Sequence, residues 1–201
     1  MNLSLLILLP LLTALLILLS KNLAQIRVIG LAGSLAQLGA AGWLLKLFMD
    51  QRAAGNTATY LFETNAVWFK ALNINYHIGI DGIALAMILL SALVVVAGIL
   101  VSWTMEKLSK EYFFLLVLLS MGAYGFFISL DLFTLFFFLE LAVIPKFLLI
   151  GIWGSGKKEN SAMKLALMLM AGSALVFVGL MGIYYNTQSF DMVQIGQMGI
   201  S

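Results

Sequence analysis

LFTLFFFLELAVIPKFLLIGIW, residues Leu132–Trp153, decides how the rest of the chain is read. Only Glu140 and Lys146 carry charge in it. The hydrocarbon layer of a bilayer is about 30 Å thick, and a helix needs about 20 mostly apolar residues to cross it. The apolar positions do not alternate with polar ones, so the stretch is not a barrel strand. It predicts a membrane-spanning helix, and it puts a carboxyl inside that helix.

Working outward, windows of the same kind fall at about Leu3–Ser20, Val28–Met49, Gly82–Trp103, Tyr112–Leu130 and Ser161–Tyr185. The expected fold class is all-α, a polytopic membrane bundle of six transmembrane helices covering residues 1–185. A loop is expected over residues 50–81, and a loop or tail over 186–201. The first window lacks a basic stretch before its apolar run and is too long for a signal peptide, so a retained anchor is expected. Composition agrees with lipid as the solvent: 63% of the 201 residues are hydrophobic and 10% charged. A water-soluble chain has about 45–50% and about 25%.

The same composition excludes several functions. With no cysteine, there can be no disulfide, thiolate metal site, iron–sulfur cluster or catalytic thiol. One histidine cannot build a dense imidazole cluster. A net charge of +2 without a basic run does not suit nucleic acid. GSGKKEN, around Lys157, lacks the spacing of a phosphate loop. The glycines of the second, fourth and sixth windows are explained by close helix packing.

Basic residues alternate between connections. Lys21 and Arg27, then Lys107 and Lys110, then Lys157 and Lys158 occupy the first, third and fifth. The long second connection holds Arg52 and Lys70, and the turn at Asp131 and the tail from Asn186 hold none. Cytoplasmic loops collect Lys and Arg, which puts the odd connections inside and the N-terminus outside. Residues Tyr60–Ile80, with Phe62, Trp68, Phe69 and Tyr76, are expected to form a short hairpin or to lie along the membrane surface.

Glu140 is the main candidate for chemistry. It sits eight residues into its window, about 12 Å along the helix axis and near mid-membrane. A charge there costs at least about 2.5–3.5 kcal/mol on insertion scales, and ionisable residues at such depth are functional by default. A carboxyl balanced between burial and a neighbouring positive charge can load and release a proton. The bland reading is a protonated Glu satisfied by a neighbouring helix. Pro145 removes the hydrogen bond to the Leu141 carbonyl, beside that carboxyl; it makes either a packing kink or one that hydrates the site.

Lys146 follows Glu140 by six residues and points roughly 120° away around the helix, so it is not the usual i+4 partner. It can snorkel, meet another helix, or pair with Glu140. Lys164, at the start of the sixth window, either tunes a polar path or anchors the interface. Lys46 is expected to snorkel. His77, Asp81 and Asp131 lie at window ends, as proton ports or as solvated and capping residues.

HIGIDGIALAMILLSAL (His77–Leu93), FFFLELAVIPKFLLIGIWG (Phe136–Gly154) and SAMKLALMLMAGSALVFVG (Ser161–Gly179) resemble the third, fifth and sixth spans of subunit M of respiratory complex I, also called NADH dehydrogenase chain 4. The resemblance is strong from about Tyr76 onward. It implies an antiporter-like, proton-translocating subunit of NADH:quinone oxidoreductase, with the redox chemistry and its quinone in other subunits. No cofactor and no metal is implied in this chain. Glu140 matches the family's essential glutamate, and Lys164 a basic position common at the start of the sixth span. Lys146 departs from the usual apolar residue after Pro.

Implied partners are the other membrane-arm subunits of the complex, sister antiporter-like subunits among them, and the lipid bilayer. The implied location is a bacterial inner membrane. Members of the family are longer and carry the glutamate's lysine partner on a seventh span, so the expectation is a fragment whose missing half completes the site. The alternatives are a subunit of a multi-subunit cation/proton antiporter and a non-transporting structural bundle.

Overall fold

The computed structural model describes residues 2–70 and 73–198. Its helices are α1 (Leu5–Leu19), α2 (Leu23–Ala53), α3 (Gly82–Val101), α4 (Ser109–Ile128), α5 (Leu132–Trp153), α6 (Lys158–Thr187) and the short α7 (Met192–Met198). The five from α2 to α6 are long and apolar enough to cross a membrane. α1 is a shorter apolar helix of 15 residues, or about 22 Å at 1.5 Å per residue. The architecture is that of a polytopic helical membrane subunit, and the chain is an integral membrane protein. α2 and α6, at 31 and 30 residues, outrun the hydrocarbon layer. Hydropathy marks the part of a helix that suits lipid; the helices themselves continue into polar turns such as Asp50–Arg52 and Lys158–Asn160.

Between α2 and α3 the chain forms an antiparallel hairpin, β1 (Leu61–Phe69) and β2 (Ile74–Ile80). Of the two expectations for this connection, the hairpin is the one observed. It is the sheet element that the all-α description leaves out. His77 pairs with Asn65 and Ile78 with Thr64, while Leu61 pairs with Ile80 across an irregularity. Phe62, at φ 58°, takes up that irregularity. β2 is the buried strand: Ile78 and Ile80 have no exposed surface and join Leu6, Leu44, Ile88 and Ile128 in the main apolar cluster. β1 is its exposed cover, with Trp68 edge-on to Phe137 of α5 at 5.7 Å. The hairpin therefore closes one end of the bundle.

α4 is the hub, packing on α1, α2, α3 and α5. Glycine permits its approach to α5. A Cβ on Gly125 would sit 2.3 Å from the Phe138 ring, and one on Gly122 would sit 2.9 Å from the Ala142 Cβ. At the end away from the hairpin a second cluster joins Ile17, Ile26, Ile99 and Phe113. Pro10 lies inside α1 and has no N–H to give the Leu6 carbonyl. The Nε2 of Gln37, on α2, donates to that carbonyl at 3.2 Å. The break in one helix is thus mended by its neighbour.

Candidate functional site

α5 begins at Asp131, whose Oδ1 accepts from the backbone N–H groups of Phe133 and Thr134, both at 3.0 Å. This N-cap satisfies two of the orphan donors of the first turn and sets the phase of the helix. From there Phe138, Ala142 and Pro145 are buried on the α4 side of α5. Glu140 lies 200° from Phe138 at 100° per residue, away from α4. It follows Phe136 by one turn, and the Phe136 ring meets Phe177 of α6 at 5.6 Å. Glu140 therefore stands on the α6 side, beside the exposed stripe of Phe137 and Ile144.

The residue is half-buried. Its Oε1 is closed off from the exterior and has no hydrogen-bond partner. A buried carboxyl oxygen without a partner carries a desolvation cost that a structural residue would be expected to avoid. Pro145 is buried within an unbroken α5.

The two lysines do not converge on Glu140. Among the described residues the carboxylate–cation contacts within 4.0 Å are those of His77. Lys146 is half-buried and Lys164 exposed. Near the start of α6, Lys158 donates to the Ile152 carbonyl at 2.6 Å and ties α6 to the end of α5. Lys46 is exposed, with its Nζ 5.9 Å from the Trp43 ring centroid.

A second polar group sits at the hairpin end. His77 Nδ1 lies 3.0 Å from Asp191 Oδ2, and its Nε2 lies 3.5 Å from Glu63 Oε2. His77 and Asp191 are buried, and Glu63 is largely open. Asp191 caps α7 by accepting from Val193 N–H at 2.9 Å. Asp131 Oδ2 accepts from Asn75 N–H at 3.3 Å, while Thr134 Oγ1 donates to the Asn75 carbonyl at 3.1 Å. Backbone bonds complete the junction: Leu130 N–H to His77 O, Leu132 N–H to Phe190 O, and Met192 N–H to Leu130 O. Burial pushes the Asp131 carboxyl above its ordinary range, and its hydrogen bonds from Thr134, Asn75 and Phe133 only partly offset this. Asp81 caps α3, accepting from Ala84 N–H at 2.7 Å.

The sequence reading named His77, Asp81 and Asp131 but missed Glu63 and Asp191. Asp191 precedes a short amphipathic run, which is an N-cap signal in retrospect. Glu63 carried none, because its meeting with His77 depends on hairpin register.

Residues 129–200 match the family described as NADH:quinone oxidoreductase/Mrp antiporter, TM. Over 184 residues the chain is 32% identical to F(420)H(2) dehydrogenase subunit M of Methanosarcina mazei, covering 91% of this chain and 36% of that protein. It is 33% identical over 193 residues to NADH-ubiquinone oxidoreductase chain 4 of Marchantia polymorpha, covering 95% and 38%. The chain thus spans little more than a third of these relatives' length. Among solved structures, an archaeal membrane-bound sulfane sulfur reductase superposes with TM-score 0.79 at 25% identity, over 98% of this chain and 40% of that one. Respiratory complex I from Thermus thermophilus superposes with TM-score 0.82 at 21% identity, over 99% and 40%, and shows the fold alone.

Proposed function

We propose that this chain, which belongs to the family of NADH-quinone oxidoreductase chain 4 and subunit M, is a proton-translocating membrane-arm subunit of a complex of that kind. Glu140 is the carboxyl that takes up and releases the proton. One observation carries this reading: the Glu140 Oε1 is buried without a hydrogen-bond partner on the face of α5 turned away from α4. A half-buried side chain with one unmet oxygen gains by turning toward a polar group or water supplied from elsewhere in the assembly. A cation moving toward it favours the carboxylate, and its withdrawal favours the neutral acid. The proton then follows the cation's position, which electron transfer in other subunits would drive.

The lysine that plays this part is expected from a segment outside residues 1–201. Pro145 leaves the Leu141 carbonyl, next to Glu140, without its helical hydrogen bond, while Lys146 and Lys164 lie toward the Lys-rich end of the bundle. In this reading that end faces the cytoplasm of a bacterium and the hairpin faces outward, with the N-terminus outside. The partners are the other membrane-arm subunits, sister antiporter-like subunits among them. The relatives' names include F(420)H(2), NADH and NAD(P)H enzymes. The electron donor is therefore a property of partner subunits.

The description of the matching family also includes Mrp antiporters. It therefore supports a second reading, a subunit of a multi-subunit cation/proton antiporter.

The test is Glu140→Gln in the assembled complex, measured as proton pumping in vesicles alongside substrate oxidation. Loss of most pumping is expected. Pumping that stays undiminished and coupled to oxidation rejects the proposal and leaves a structural bundle. Sodium uptake driven by a proton gradient, in vesicles lacking the redox subunits, selects the antiporter reading.

A further inference from the structure

A small cavity lies inside the bundle formed by α1, α2, α3 and α4, apart from Glu140. Pro10, Thr13, Ser34, Gln37, Ser120 and Tyr124 line it, with apolar side chains completing the wall. Two of these residues bring an unmet polar atom. Gln37 is 3% exposed and Tyr124 has no exposed surface, yet neither Gln37 Oε1 nor the Tyr124 hydroxyl has a hydrogen-bond partner. The Gln37 amide cannot turn to relieve this, because its Nε2 is held by the Leu6 carbonyl that Pro10 leaves free. The other three hydroxyls have already donated: Thr13 to Leu9 O at 2.9 Å, Ser34 to Leu31 O at 2.9 Å and Ser120 to Val117 O at 2.6 Å. Each keeps lone pairs that can only accept.

We infer that this cavity is a binding site for a single water molecule that joins α2 to α4 by accepting from the Tyr124 hydroxyl and donating to Gln37 Oε1. The centre of a water-sized sphere has about 10 Å³ of space in it, close to the minimum of about 10–15 Å³ that a water requires. Two unmet groups and three accepting hydroxyls supply the two to four partners that buried waters have. No carboxylate lines the cavity, so a bare cation would have only neutral oxygens to offset its loss of hydration. Leaving both groups unmet would forfeit the hydrogen bonds that each makes with water in the unfolded chain. Sequence alone could not show the site, because it needs Gln37 turned by Pro10 and set opposite a tyrosine 87 positions away.

The experiment is a cryo-EM map of the intact wild-type complex at a resolution that shows ordered waters. A peak within about 3 Å of both Gln37 Oε1 and the Tyr124 hydroxyl is expected. An empty cavity, or a peak touching neither atom, overturns the inference. A second measurement needs no map: melting of the complex with Tyr124→Phe, Gln37→Leu and the pair. Each single variant is expected to melt lower by about 2–4 °C, and the pair by less than the sum, because one loss already frees the water. Fully additive shifts, or a wild-type melting point raised by sodium but not by potassium, overturn it.

Discussion

Asp131 shows how one residue can serve a helix, a strand and a loop at once. Its Oδ1 starts α5, its Oδ2 holds Asn75 of β2, and its backbone pairs with Asp191 beyond α6. It is fully buried, and that burial raises its carboxyl above the ordinary 3.8. The folded state then binds the Asp131 proton more tightly than the unfolded state. Its contribution is greatest below 3.8 and falls as pH rises to the elevated value, beyond which it is level. The melting temperature of the wild type is therefore expected to fall as pH rises from about 4, relative to Asp131→Asn, which has no proton to lose. Parallel melting curves for the two proteins would show that the carboxyl does not titrate there. Sequence reading reached Asp131 as a capping candidate, since Asp before an apolar helix is a recognisable start signal. It had no means of finding the strand and the second aspartate that crowd it.

Elements meet here according to where a side chain is missing. At Gly122 a Cβ would lie 2.9 Å from the Ala142 Cβ and 3.2 Å from both the Ala142 nitrogen and the Phe138 carbonyl. Two of these are backbone atoms, which cannot step aside as a flexible side chain does. Gly122→Ala is expected to separate α4 from α5 and cost about 1–3 kcal/mol, read as a lower melting temperature of the purified complex. Gly182→Ala, on α6 with nothing within 4 Å, is the control and is expected to melt unchanged or slightly higher. Equal behaviour of the two variants would mean that α4 and α5 do not pack through Gly122. Sequence marks the glycines as packing residues, but spacing does not say which of them lie in a contact. The two prolines differ in the same way. Pro10 has Gln37 across from its freed carbonyl, whereas among the described residues no side chain donates to Leu141 O beside Pro145.

For the whole molecule, burial is lopsided. The interior of α4 is well packed, whereas Leu167, Met168, Leu175 and Val178 of α6 stay exposed. In a membrane such a face meets lipid or further protein. Orientation is testable at this scale because the chain has no native cysteine. A membrane-impermeant maleimide is expected to label Thr57→Cys, beside the hairpin, on intact cells. Ser155→Cys, in the Lys-rich connection, should be labelled only after the cells are opened. The reverse pattern would invert the orientation proposed from the loop charges.

Local sequence was enough to determine the chain's class, because a run of apolar residues long enough for the bilayer has few other stable fates. It also singled out Glu140, since a charge at that depth stands out against its neighbours. Tertiary structure decided which polar groups meet. His77 with Glu63 and Asp191, Gln37 with Leu6 O, and the lack of a hydrogen-bond partner for Glu140 Oε1 all depend on helix rotation and strand register. Those are set by close packing between segments far apart in the chain, at glycines and prolines whose partners no local pattern specifies.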